Sequence, residues 1–468
     1  MKRFIAVLLT VVLMSSASAV FATQSRMEGM GLSNWMAEDD YNIWDNPARL
    51  VQYPGLVWGE LGIPTAPMSY TQWAGVSSKK MPIGTIAAFV GRPYSGSITS
   101  MYSAVSGMDL TAVPVAINSA NVTGAALTCA MSTVLTPFNH LDLFWSISPQ
   151  LAVWVNMADH YDTLSHTYTS TTRANGDGTA KSDRGTAEYN FGVGTMLEKL
   201  GPIESLDVAV KIGLPFVTNI YSERWYVAAQ NREGSDDREF KSNGAFTFDF
   251  YARWFLRIMQ TSKLMMFSNV SMNGLGSLYT DKRDANADGT LDVNTKQTRN
   301  LGVYGFNFGA GDVMPLGDRT TLYAALSLKI SQSSYSGKTE NLINTTTTEE
   351  YAASTFGLGV PLNFAIEHKV SKVFTLRGGL EQLLWKNGVL DVNDNDWAAN
   401  AVVSNAKYQT VTTGIGNITF NFGATANISN SLVIDAVLNQ DVFFSGTYIV
   451  SGRTNYPLSR ITLTYKFK

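Results

Sequence analysis

The sequence predicts an all-β chain, an antiparallel transmembrane β-barrel of about fourteen strands with sixteen as the alternative count. Three observations predict it. Period-2 alternation of apolar and polar residues recurs along the chain. Charged residues are only 16% of the 468, against roughly 25% in soluble domains. Short turns alternate with long polar connections, which is how outer-membrane barrels place periplasmic turns against extracellular loops.

The first 22 residues read as a signal peptide. Lys2 and Arg3 are a positive start, Ile5 to Met14 an apolar core broken only by Thr10, and Ala17-Ser18-Ala19 and Val20-Phe21-Ala22 both suit peptidase cleavage. The apolar core is too short to span a bilayer, which takes about 20 residues. Export of this kind implies the outer membrane of a Gram-negative-type bacterium. Removing Lys2 and Arg3 takes the formal charge from −3 to −5, and no basic patch suggests nucleic acid. A single cysteine, Cys129, excludes an internal disulfide framework and a multi-thiolate metal site.

Alternation is clearest from Ala245 to Ile258. Phe246, Phe248, Phe250, Ala252, Trp254, Leu256 and Ile258 share one face, while Thr247, Asp249, Tyr251, Arg253 and Arg257 share the other with Phe255. Successive strand side chains point to opposite faces, so this is an apolar wall backed by a polar one. The same code recurs at Leu206 to Ile212, Leu322 to Ile330, Phe356 to Ile366 and Ile418 to Ala424. In the last segment Ile461, Leu463, Tyr465 and Phe467 oppose Thr462, Thr464 and Lys466, almost at the chain end.

Short turns are expected at Gly201-Pro202, around Gly317-Asp318, at His368 to Lys372 and at Ile428 to Ser431. Long polar loops are expected at Asp159 to Thr186, Thr218 to Asn243, Tyr279 to Arg299, Ser331 to Glu350 and Asn387 to Lys407. The strand count becomes sixteen if Ala125 to Trp154 forms a hairpin. No repeat of fixed period appears.

Residues 23–54 do not alternate. They contain Glu28-Gly29-Met30-Gly31-Leu32, then Ala37-Glu38-Asp39-Asp40, then Asn46-Pro47-Ala48. Pro47 fixes its own φ and turns Asn46 away from the helical region, so the chain must bend there. The stretch resembles the N-terminal hatch of the long-chain fatty-acid transporter (FadL-type) family, which has a Gly-rich entry, an Ala-acidic-Asp element and an Asn-Pro-Ala triplet at the Ala37-to-Asn46 spacing. The resemblance covers roughly the first sixty residues. It implies a fourteen-stranded barrel, here residues 55–468, with residues 23–54 folded into the lumen as a plug. Ala37, Asp39, Asp40, Asn46, Pro47 and Ala48 would then be hatch residues, and the family's passage of hydrophobic molecules from outside to the membrane would be the activity. The family also includes barrels that attach or hand over secreted proteins.

Other candidate sites follow from residue chemistry. Asp284, Asn286, Asp288 and Asp292 stand at positions 1, 3, 5 and 9 of a calcium-type loop with Gly289 at position 6, but Thr295 occupies the position of the closing Glu. A bound calcium would order an external loop; no other cofactor is implied. Arg253, Arg257 and Lys329 face the lumen, either as a charge ladder or as partners for Glu38, Asp39 and Asp40. With four histidines and no Gly-x-Ser-x-Gly elbow, an enzyme is not expected. The reading is passive uptake of a small hydrophobic ligand by a barrel surrounded by outer-membrane lipid. A general diffusion porin and a non-transporting barrel with a protein partner are the alternatives.

Overall fold

The structure is a computed structural model, describing residues 24–62, 72–91, 140–170, 176–227, 232–259, 262–284, 288–343, 348–395, 406–413, 418–438 and 458–467. The signal segment, Cys129 and Asn286 lie outside the described residues. So do the side chains of Arg257, His160 and His166. Among the described residues no helix is long and apolar enough to cross a membrane.

Strands dominate. In chain order they are β1 (Leu56–Gly62), β2 (Gln72–Ser77), β3 (Thr85–Val90), β4 (His140–Ser148), β5 (Leu151–Ser170) and β6 (Gly176–Leu200). Then come β7 (Ile203–Val227), β8 (Arg232–Ser242), β9 (Phe246–Met259), β10 (Ser262–Asp284), β11 (Val293–Pro315) and β12 (Thr320–Asn341). The set ends with β13 (Thr348–Lys369), β14 (Phe374–Asn395), β15 (Ala406–Thr413), β16 (Ile418–Asn427), β17 (Leu432–Leu438) and β18 (Leu458–Lys466). Each pairs antiparallel with its neighbours, and β18 pairs with β1 from Leu56↔Lys466 to Gly62↔Arg460, closing the ring.

Among the described residues the eighteen strands occupy sixteen positions. β8 and β9 both lie between β7 and β10, end to end, and β15 and β16 follow one another along β14. The first expectation of fourteen is therefore corrected to sixteen. The hairpin on which that alternative turned is β4–β5, folded back at Pro149-Gln150 from His140↔Ala158 to Ser148↔Leu151. Its apolar outward residues follow one another closely in the sequence, with only Pro149-Gln150 between the two strands to mark the turn.

The expected short turns stand where Gly201 and Gly317 adopt positive φ of 65° and 81°, a conformation that suits glycine. The expected long loops do not. From Thr163↔Asp183 to Ser170↔Gly176 the β5–β6 ladder continues, and β10–β11 and β12–β13 likewise run on to Arg283↔Val293 and Glu340↔Thr348. At about 3.4 Å per residue the 23 residues of β10 reach roughly 75 Å, whereas a crossing takes about 9–11 residues. These extensions are polar in sequence, so no apolar alternation marks them. Backbone pairing alone makes them sheet.

On the outer face Leu143, Trp145, Phe191, Ile212, Phe306, Phe308, Phe364 and Ile366 are exposed, forming the apolar band. Inward-facing Phe144, Asn363 and Ala365 are buried against residues 24–53. That stretch forms α1 (Gln24–Met30) and three short 3-10 turns at Asn34–Met36, Asp40–Ile43 and Pro47–Gln52. Helix α1 packs on β13, β14 and β16 to β18, the first turn on β11, and the last on β3 to β6. Strands on all sides of a closed ring are reached together only from inside it. We predict that Phe308→Arg costs about 2–4 kcal/mol in reversible folding into lipid vesicles, whereas Ser336→Arg, outward but above the band, costs under about 1 kcal/mol.

Candidate functional site

The junction between residues 24–53 and the inner wall is the candidate site. The segment's own turns are set by side chains that cap them. Asp39 accepts from the Tyr41 backbone N–H at 3.1 Å while Asn42 Oδ1 accepts from the Asp39 N–H at 2.9 Å, a reciprocal cap. Asn46 Oδ1 accepts from the Ala48 N–H at 3.0 Å, and Pro47 takes the first helical position, where a missing N–H costs nothing. The same Asn46 donates through Nδ2 to the Thr195 carbonyl at 2.8 Å, fastening the turn to β6. Fully buried Ala48 lends its carbonyl to Ser146 Oγ on β4 at 3.4 Å.

Two wall positions are glycine because the segment comes too close for a side chain. A Cβ on Gly379 would sit 1.7 Å from the Met30 carbonyl oxygen, and one on Gly194 2.0 Å from Asn46 Oδ1. Aromatic packing fills the remaining floor. Trp35 stacks on Phe267 with ring centroids 4.1 Å apart, and Trp44 meets Phe89 and Phe144 at 4.6 and 4.9 Å.

Two ion-pair networks join the segment to the wall. In the first, Asp207 on β7 is fully buried, and its Oδ2 accepts from Arg49 of the segment at 2.6 and 2.9 Å and from Arg253 of β9 at 2.9 and 3.1 Å. Arg253 also donates to the Ala37 carbonyl and to Asn42 Oδ1, both at 3.1 Å. Arg49 donates to Glu38 at 3.3 Å and to Gln52 at 3.1 Å. In the second, Arg26 and Arg377 share Glu367 at 2.9 and 2.7 Å, and Arg377 continues to Asp435 at 3.0 Å. Asp39 lies 3.7 Å from Arg26. Asp40 accepts instead from Trp58 Nε1 at 2.7 Å, and burial followed by the neighbouring Asp39 charge pushes its carboxyl well above the usual range.

Of the expected lumen cations, Arg253 is brought into the junction, with Asp207 and segment carbonyls rather than Asp39 or Asp40 as partners. Lys329 stands higher on β12 and is exposed. Asp284 accepts from the Gly289 N–H at 3.0 Å, and the Asp288 carboxylate accepts from Thr290, so both are engaged within their loop. Asp292 donates its backbone N–H to the Arg283 carbonyl at 2.7 Å. Among the described residues no three acidic, His or Cys side chains gather to hold a metal. Sequence reasoning passed over Asp207, Arg26, Arg49, Glu367, Arg377 and Asp435. Asp207 stood on the polar face of an alternating run, but alternation names a face and not a partner.

Above the junction the wall is polar, with Asn156, Asn190, Lys211, Asp249 and Asn269 at inward positions. A cavity of 230 Å³ opens there, lined by Asp45, Ala209, Lys211, Asp249, Tyr251 and Asn269. A larger space of 640 Å³ lies on the outer face beside Phe246 and Tyr304, away from the junction.

No family model and no curated protein matches the sequence. Among solved structures the chain is similar to a FadL homologue from Pseudomonas aeruginosa at 12% identity, covering 97% of this chain and 100% of that one with a TM-score of 0.35. It is similar to a deletion mutant of the TodX monoaromatic hydrocarbon channel at 9% identity, 95% and 99% coverage and a TM-score of 0.34. The outer-membrane protease OmpT from Escherichia coli is similar at 10% identity over 68% of this chain and 96% of that one, with a TM-score of 0.24.

Removing Asp207 leaves two buried guanidinium groups without their shared carboxylate, which typically costs 3–5 kcal/mol. We predict that Asp207→Ala releases residues 24–53 while the barrel persists. The measurement is hydrogen exchange: protection should fall by two or more orders of magnitude in the segment and stay unchanged in β10 to β13.

Proposed function

We propose that the protein is an outer-membrane channel for passive uptake of small hydrophobic molecules, closed at its short-turn end by residues 24–53. The observation that carries this reading is the junction itself, a segment inside the ring held by ion pairs, hydrogen bonds and aromatic contacts and by no covalent bond. Such contacts exchange readily for water when the segment moves, so closure by them is reversible in principle. The wall residues that meet the segment, Ser146, Thr195, Asp207, Arg253 and Glu367, lie toward the short turns, so the long strand extensions would stand outside the cell. The hydrophobic class of ligand rests on the hatch resemblance of Ala37 to Ala48.

The polar wall at Asn156, Asn190, Asp249 and Asn269 favours a second reading, diffusion of small polar solutes once the segment is displaced. Planar-bilayer conductance combined with liposome uptake separates the two. The intact chain is expected to conduct little, and deletion of residues 24–53 to raise conductance at least about tenfold. Uptake of a monoaromatic hydrocarbon by the intact chain, without matching uptake of a sugar of similar size, supports the first reading. Large steady conductance from the intact chain contradicts closure.

A further inference from the structure

We propose that the 230 Å³ cavity at the floor of the lumen is a binding site for a small primary amine in its ammonium form. The site spans the junction: Asp45 comes from residues 24–53, Lys211 from β7, Asp249 and Tyr251 from β9 and Asn269 from β10. These wall positions are adjacent through the register, with Lys211↔Asp249, Ala209↔Tyr251 and Tyr251↔Asn269 paired across strands. An apolar cavity of about 150 Å³ holds a benzene ring, so the space suits a ligand of ring size.

The polar groups select the charge. Asp45 and Tyr251 both line the cavity, and Asp45 Oδ2 and Tyr251 Oη are buried without a hydrogen-bond partner, although Asn34 and Asn42 hydrogen-bond to the Asp45 carboxyl elsewhere. Buried polar atoms are nearly always satisfied, so two unmet groups facing one space point to a missing partner there. Asn269 spends its Nδ2 on the Phe250 carbonyl at 3.2 Å, which leaves its oxygen as an acceptor. Lys211 is drawn aside, donating to the Trp44 carbonyl and lying 5.5 Å from the Trp154 ring centroid. The arginines beneath, Arg49 and Arg253, are matched by Asp207 and Glu38. Two carboxylates therefore face one ammonium in the cavity, and the unmet atoms want donors. An ammonium supplies three donors and the one positive charge that balances the site.

Such a ligand would touch both the segment and the wall, bridging them. The inference does not depend on transport, and equilibrium binding tests it separately from uptake. The full chain in detergent is titrated calorimetrically with benzylamine, toluene and benzoate at neutral pH. Benzylamine is expected to bind at one site, with neither toluene nor benzoate binding or competing there. Asp45→Asn should weaken benzylamine at least about tenfold, the effect of losing a charge-assisted hydrogen bond. Tyr251→Phe, which keeps the ring and the net charge, should weaken it about three- to tenfold, with segment hydrogen exchange unchanged in both variants. Absence of benzylamine binding, equal binding of toluene, or full affinity in both variants overturns the proposal.

Discussion

One carboxylate ties the N-terminal segment to the wall of the ring. Asp207 accepts hydrogen bonds from Arg49 of the N-terminal segment and from Arg253 on the neighbouring strand position, and all three groups are buried. Burying two guanidinium groups around one acid is tolerable only because every remaining donor finds an acceptor nearby, among them the Ala37 carbonyl, Asn42 and Gln52. Those acceptors belong to the N-terminal segment. Moving the segment therefore strips the wall arginine of its partners as well, so the contacts between segment and wall are coupled.

The apolar contacts around this centre supply area and shape rather than direction. Trp35 on Phe267, and Trp44 against Phe89 and Phe144, bury rings that would otherwise face a wet lumen. Gly379 and Gly194 let the backbone settle close enough for those rings and the capped turns to engage the wall. Direction comes from the polar groups, since an ion pair or a capped turn has one good geometry.

How much of this was legible follows from what surrounds each strand. Where lipid lies on one side, as at Phe306 and Phe308 or along Phe356 to Ile366, alternation is strong and the strands could be read directly. Beyond the apolar band, at Ser165 to Ser170 or Lys338 to Asn341, the ladder continues through polar residues, and polar composition looked like loop. The β4–β5 hairpin was legible only as an alternative, because apolar residues run on both sides of its two-residue turn. The segment's turn at Asn46 was readable from the Asn-Pro pair, whereas the reciprocal cap at Asp39 was not. Its partners were not, because Asp207 and Arg49 are 158 residues apart and only the closed ring brings them together.

The central claim is that residues 24–53 close the lumen and must shift for a molecule to pass. Ala48 and Ala152 lie in the same buried cluster, one on the segment and one on β5. The most direct test is to replace both by cysteine in a background where Cys129 is serine, and to follow uptake of a hydrophobic tracer before and after reduction. Closure by this segment predicts uptake that is lost when the disulfide forms and returns when it is reduced. Uptake that proceeds unchanged with the segment locked to the wall would contradict it.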